Sequence, residues 1–349
     1  MSIGSGISYT MVAIIQITPI HWVGFIGVVL FLLALDLGVF HRQAREVTFR
    51  EAVGWTTLWV SLSLAFAGLL VPLRGKDEAI EFVTGYLIEL SLSMDNVFVI
   101  ALIFTYFRVP HSLQHRVLFW GILGALIMRG ILIGLGAVLI AKFHWMLYGF
   151  GLFLVYTGWH MARSEEEGVH PESNWVVVWA RRFFPLTRDY VGQHFLVRGP
   201  ESFQLHVEPA SGVRRVGFID RSHIALTPLG LVLIMVETTD LVFALDSIPA
   251  IFAVTQKPFI IFTSNVFAIL GLRSLYFVLA GAIKYFCYLK MGLSVVLIFI
   301  GAKMLLVAVD VVIPTGVSLM VVGGIILVAM GMSVWQARAS QSQRPEGES

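Results

Sequence analysis

Charge is scarce in this chain: 13% of its 349 residues are Asp, Glu, Lys or Arg, against 57% hydrophobic, and the mean hydropathy is +0.84. Such a composition excludes a soluble globular protein and gives a polytopic membrane protein. Cysteine is nearly absent. The single Cys287 excludes an intramolecular disulfide and any multi-cysteine metal site. The net charge of +2 is too small to attract a polyanion, so no nucleic-acid partner is expected. Residues 1–19 hold no Lys or Arg and so lack the basic start of a cleaved signal peptide. The first apolar segment therefore reads as a retained signal anchor. No His-Glu-x-x-His run occurs, which removes an intramembrane zinc protease.

What the chain has instead is long apolar runs. Segments of about 20 apolar residues suit bilayer-crossing helices. Nine are expected, at about 20–40, 53–72, 82–106, 117–140, 144–162, 225–252, 259–282, 291–309 and 313–335. With the N-terminus outside, 17 of the 24 Lys and Arg fall on inner connections and four on outer ones. This positive-inside bias puts the C-terminus in the cytoplasm. The polar tail after Trp335 reads as disordered, and residues 163–222 as a cytoplasmic linker with a short amphipathic helix at 174–184. That linker is also the candidate docking site for a protein partner.

Carboxylates are costly in hydrocarbon and rarely occur there without a partner or an ion. Two acidic clusters nonetheless lie inside apolar segments: Glu89-Leu-Ser-Leu-Ser-Met94-Asp95-Asn96 and Glu237-Thr-Thr-Asp240-Leu-Val-Phe-Ala-Leu-Asp246-Ser247. Asp95 aligned with Asp246 puts Glu89 on Asp240, because each pair is six residues apart. The next segment of each unit carries Arg129 or Arg273, and the third carries Gly158 or Gly301. The expected architecture is thus all-α with an inverted repeat of two three-helix units, residues 82–162 and 223–309. Two helices in 1–81 precede it, and the last helix lies in 310–349. Transporters built this way place their site near the midplane, between the repeats.

A six-residue step is 240° on an ideal helix, so the two acids of each pair cannot share a face. Either the helix unwinds, as Pro249 would favour after Asp246, or each acid meets a different neighbour. The ligand set is rich in oxygen: Glu89, Asp95, Asn96, Glu237, Asp240, Asp246 and Ser247. Hard divalent cations prefer such ligands. Met94 and Met235 adjoin the acids, and a thioether would tilt preference toward a transition ion such as Mn²⁺; plain apolar packing is the simpler role for both. Arg129 and Arg273 either neutralise carboxylates or replace the cation in an empty site. Asp36 suits a cavity wall or a pair with a nearby Arg. Lys303 and His160 read as snorkelling side chains at cytoplasmic helix ends. Two arginines cannot neutralise five carboxylates, so some acids must be protonated, hydrated or metal-bound.

At these motifs the chain resembles the TerC family of bacterial membrane proteins, in its Alx-like branch. The resemblance runs from about Asp36 to Val309 and rests on the two acidic motifs, on Thr263-Ser-Asn265-Val-Phe-Ala-Ile-Leu-Gly-Leu-Arg273, and on Phe299-Ile-Gly301-Ala-Lys303. It implies efflux of divalent metal, chiefly Mn²⁺, across the cytoplasmic membrane, with a link to tellurium resistance. It also implies that Glu89, Asp95, Asn96, Glu237, Asp240 and Asp246 line the ion path. Mn²⁺ is then cargo, no cofactor is permanently bound, and the chain is not an enzyme. Two other classes compete. One is a non-transporting membrane partner in metal delivery or in tellurium and redox stress. The other is an intramembrane aspartyl protease using Asp95 and Asp246, which leaves three carboxylates unexplained.

Overall fold

Inside hydrocarbon a chain must satisfy its own backbone groups, which leaves helices as the form for single apolar runs. The computed structural model describes residues 18–38, 48–163, 187, 189–198, 224–280 and 288–342. Among these residues nine α-helices lie where the apolar segments predict them. They are α1 Pro19–Gly38, α2 Phe49–Arg74, α3 Lys76–Tyr106, α4 His111–Lys142, α5 Met146–Arg163, α6 Pro228–Phe252, α7 Pro258–Ala280, α8 Leu289–Leu306 and α9 Thr315–Ser342. Seven of them, all but α1 and α5, are long and apolar enough to cross a membrane by length and composition.

Two boundaries differ from expectation for a physical reason. α3 starts at Lys76, because Asp77 and Glu78 in its first turn favour a helix N-terminus although they are polar. α9 runs on to Ser342, so the tail expected to be unstructured from Trp335 starts as helix. Gln336, Ala337, Arg338 and Ala339 are good helix formers, which hydropathy does not register. The predicted amphipathic helix at 174–184 lies outside the described residues.

The described part of the linker is docked onto the bundle. β1 Leu196–Arg198 pairs antiparallel with β2 Ile224–Leu226, Leu196 opposite Leu226. The strand defers the start of α6 to Pro228, behind a Thr227 cap whose hydroxyl accepts from Gly230 N at 3.1 Å. The α3–α4 turn is tight. Arg108 takes a left-handed φ of 51°, Val109 N donates to Phe104 O at 2.9 Å, and Arg108 N donates to Thr105 O at 3.1 Å. This is a Schellman closure with Arg where Gly is usual. The Phe107 carbonyl at this helix end accepts from the Tyr190 hydroxyl at 2.8 Å. Burial pushes the Tyr190 phenol up to about 12.

The two repeats exchange matching contacts. A Cβ on Gly301 would sit 2.6 Å from Gly151 O and 2.8 Å from Val155; one on Gly158 would sit 2.7 Å from Ser294 O and 2.9 Å from Ile298. These are one contact seen from its two sides, since Gly158 and Gly301, Gly151 and Ser294, and Val155 and Ile298 are all 143 positions apart. The pairs run in opposite directions, so α5 and α8 cross antiparallel with backbones touching. Lipid gives no hydrophobic drive between helices, so such close approach of small residues is what holds them. In the same reciprocal way Gly85 of α3 lies against Ser264 of α7, while its counterpart Val236 on α6 lies against Gly121 of α4. α2 and α9 pack on α3 from outside the repeats, and Phe25 of α1 joins Phe66 of α2 and Phe259, Phe262 and Phe267 of α7, with ring centroids 5.8–6.0 Å from its own.

Candidate functional site

Both acidic helices are continuous through their carboxylates; α6 passes Pro249 and ends at Phe252. Of the two alternatives for the six-residue step, local unwinding is therefore excluded. Pro249 withholds one N–H from the ladder without breaking α6, and the six-residue step is resolved by giving each acid of a pair its own surroundings.

One set is fully buried. Glu89 is 0% exposed, Asp240 4%, Arg129 2% and Asn96 1%. Arg129 of α4 grips Asp240 with Nε at 3.2 Å from Oδ2 and Nη2 at 3.0 Å from Oδ1. Its Nη1 donates to Glu89 Oε1 and, at 3.3 Å, to Ser247 Oγ. Asn96 Nδ2 donates to Asp240 Oδ1 at 2.7 Å. Glu89 and Asp240 are repeat counterparts, so one arginine holds two equivalent carboxylates from opposite repeats. The geometry goes beyond neutralisation within one repeat. It also leaves acceptors over: Glu89 Oε2 and Asn96 Oδ1 are buried with no hydrogen-bond partner. Orphaned buried acceptors are costly and call for a donor or a cation.

A second set is half-buried. Asp246 faces Thr157 of α5 and lies within electrostatic reach of its counterpart Asp95, which Lys290 also faces. Glu237 is half-buried, close to Asp240, and its carboxylate rests against Gly124 of α4, where any Cβ would collide with it. The step that carries Glu89 to Asp240 carries Tyr86 to Glu237, so this third acid breaks the symmetry of the repeats.

The remaining candidates divide. Met235 is 1% exposed inside an apolar cluster with Leu118 and Leu231, and Met94 packs on that same cluster. Both therefore pack as ordinary apolar side chains. Asn265 of α7 is buried with neither side-chain polar atom partnered. Arg273 is buried on the same helix. Asp36 falls in the last turns of α1, and its side chain lies outside the described residues. Lys303 does not snorkel at the helix end that carries Lys290. It is buried and faces Glu81, at the end of the bundle that carries Lys257 and opposite Lys290. Its position follows from the antiparallel crossing of α5 and α8, in keeping with the inverted repeat expected from the sequence. Thr157 and Gly124 were missed. The signal for Thr157 was its place beside Gly158 in the aligned Val155-Tyr-Thr-Gly158; nothing in the sequence marked Gly124. Among the described residues no three His, Cys, Asp or Glu side chains converge closely enough to hold a metal ion. Arg129 stands between Glu89 and Asp240 instead.

Comparison with known proteins gives one consistent family. A family model described as integral membrane protein TerC family matches residues 74–344. An uncharacterized membrane protein of Myxococcus xanthus is 46% identical over 321 residues, covering 92% of this chain and 94% of its own. The Alx protein of Escherichia coli K12, named as a proposed membrane-bound redox modulator, is 44% identical over 336 residues, 94% of this chain and 98% of its own. A Rickettsia bellii membrane protein is 36% identical over 313 residues, 90% of this chain and 96% of its own. No solved structure matches.

Proposed function

We propose that this chain, which belongs to the TerC family of integral membrane proteins, is a secondary transporter that exports divalent metal ions, Mn²⁺ above all, from the bacterial cytoplasm. The observation that supports this most is the clamp of Arg129 on Glu89 and Asp240, with buried acceptors left over. A guanidinium in that position occupies the place of a cation between two repeat-related carboxylates. Intramembrane ionisable residues with identifiable partners at a repeat interface are the usual mark of an ion path.

In this proposal the clamped state is the empty carrier. A divalent cation loads by taking over the carboxylates that Arg129 holds, with Asn96 and Ser247 adding neutral oxygens. Asp95 and Asp246, half-buried and close together, form the approach. The set has more carboxylates than arginines, so the empty site retains at least one proton, and metal ligation requires the deprotonated form. Export is then coupled to protons moving inward. The N-terminus is outside and the C-terminus cytoplasmic, from the Lys and Arg asymmetry. The chain acts as a carrier and not as an enzyme. The relatives' redox name agrees with an indirect effect through metal supply, because a single cysteine provides no dithiol within the chain.

Proton release tests the binding step. Adding Mn²⁺ to the purified protein in weakly buffered detergent solution should acidify it, and Glu237→Gln and Asp240→Asn should reduce the signal. Binding without proton release anywhere between about pH 5.5 and 8.5, around the shifted carboxyl range, would exclude the coupling. A membrane partner that does not transport would bind metal equally but show no flux.

A further inference from the structure

Ion pairs join the two repeats at one end of the bundle. Glu78, in the first turn of α3, accepts a fork from Arg74 at 2.6 and 2.9 Å. Lys257, in the α6–α7 connection, places Nζ 3.4 Å from Glu78 Oε1 and 3.1 Å from Glu81 Oε2. The Thr255 hydroxyl donates to the same Glu81 oxygen at 2.8 Å. Lys303 of α8 faces Glu81 as well. The pairs therefore tie α2, α3 and the end of α6 together.

The equivalent place at the other end is built from different chemistry. The 151-residue step that relates Glu89 to Asp240 relates Glu78 to Leu229 and Glu81 to Val232. Leu229 and Val232 are buried in one apolar cluster with Val109 and Leu113, from the α3–α4 turn that corresponds to the Lys257 connection. Parting that end exposes apolar core. Parting the Lys257 end also separates apolar side chains, since Ala79, Phe82 and Ile260 share a buried cluster, but there the closure includes ion pairs to a lysine on a flexible stem whose side chain, already 42% exposed, can turn into water. The two closures therefore differ in kind: among the described residues, the Lys257 end adds ion pairs that its apolar counterpart lacks.

We propose that Lys257 with Glu78 and Glu81 is an ionic latch, and that its release opens the Lys257 end of the bundle toward the buried carboxylates. The Lys and Arg asymmetry assigns that end to the outside. The latch gains a role in transport only on the proposed carrier function, but its test involves neither metal nor flux.

Ser264 supplies the probe. It is 0% exposed, on α7 against Gly85, between the level of Glu81 and that of Glu89 on the neighbouring α3. In full-length protein lacking its one cysteine (Cys287→Ser), Ser264→Cys is labelled in detergent with a charged thiol reagent. The latched background should react slowly. Lys257→Ala should speed labelling by about tenfold, as when a minor open state becomes a major one. Glu78→Gln combined with Glu81→Gln should speed labelling likewise, whereas Lys257→Arg, which keeps the cation, should label slowly; simple loss of packing would not sort the variants by charge. Unchanged labelling in folded Lys257→Ala and in the Glu78→Gln, Glu81→Gln pair, or fast labelling in Lys257→Arg, would overturn the latch. A protein that labels as expected but carries no metal would overturn the transport proposal and leave the latch intact.

Discussion

Arg129 Nη2 and Asp240 Oδ1 stand 3.0 Å apart on helices of opposite repeats, and the same guanidinium reaches Glu89, the repeat counterpart of Asp240. Removing one partner of a buried ion pair strands a charge in low dielectric, at a cost of about 3–5 kcal/mol. Arg129→Gln should therefore lower the thermal midpoint of the detergent-solubilised protein clearly. Combining it with Glu89→Gln should recover part of the loss, because the stranded charge is removed. Arg129→Lys should keep most of the stability but lose transport, since an ammonium lacks the planar fork that spans two carboxylates. Unfolding followed by intrinsic tryptophan fluorescence decides it; an Arg129→Gln midpoint equal to that of the native chain would mean the clamp does not neutralise the site.

Asp95 and Asp246 are equivalent by the repeat and lie within reach of one another. Asp95→Asn and Asp246→Asn are each expected to abolish metal flux while leaving folded protein in the membrane. The amide is nearly isosteric, and a half-buried position tolerates the loss of one charge. Flux in liposomes and a monodisperse gel-filtration profile are the two readouts. Full flux in either variant would remove that carboxylate from the path.

Gly158 and Gly301 each face a backbone carbonyl across the α5–α8 crossing, at 2.7 and 2.6 Å from where a Cβ would lie. Backbone yields less than a side chain does. Gly158→Ala and Gly301→Ala should each destabilise by about 1–3 kcal/mol, the usual cost of overpacking, and by similar amounts because the contacts are reciprocal. Thermal midpoints check this. A large loss in one variant and none in the other would contradict the two-fold relation of these helices.

The orientation rests on the Lys and Arg asymmetry and can be tested by fusion. A reporter active only in the cytoplasm should be active after Arg338. One fused near Lys257 should report the outside. The opposite pattern would remove the nine-helix, N-out topology and the inversion that depends on it.

Much of the fold was legible because hydrocarbon imposes its demands on sequence directly. Nine apolar runs marked nine helices, and the Asp, Arg and Gly residues recurring in order marked the repeat. The helix ends were less legible where polar residues are good helix formers, as at Lys76–Glu78 and Gln336–Ser342. The acids could be picked out one by one, but not how they would be shared. Sequence spacing showed that Glu89 and Asp95 face different ways. It did not show that Arg129 would bridge Glu89 to Asp240, a contact across 111 residues of chain. Nor could it show that Gly124 makes room for Glu237, because an absent side chain is informative only once its neighbour is known. The Glu81–Lys257 pairing escaped for the same reason.

The central claim is that the carboxylates shared between the repeats carry a divalent cation across the bilayer. Uptake of Mn²⁺, Mg²⁺, Ca²⁺ and Zn²⁺ into liposomes holding the purified chain, under a set pH gradient, tests it most directly. Saturable Mn²⁺ movement that collapses with the proton gradient and is lost in Asp240→Asn is the predicted result. Mn²⁺ movement no faster than in protein-free liposomes, with folded protein in the bilayer, would contradict it.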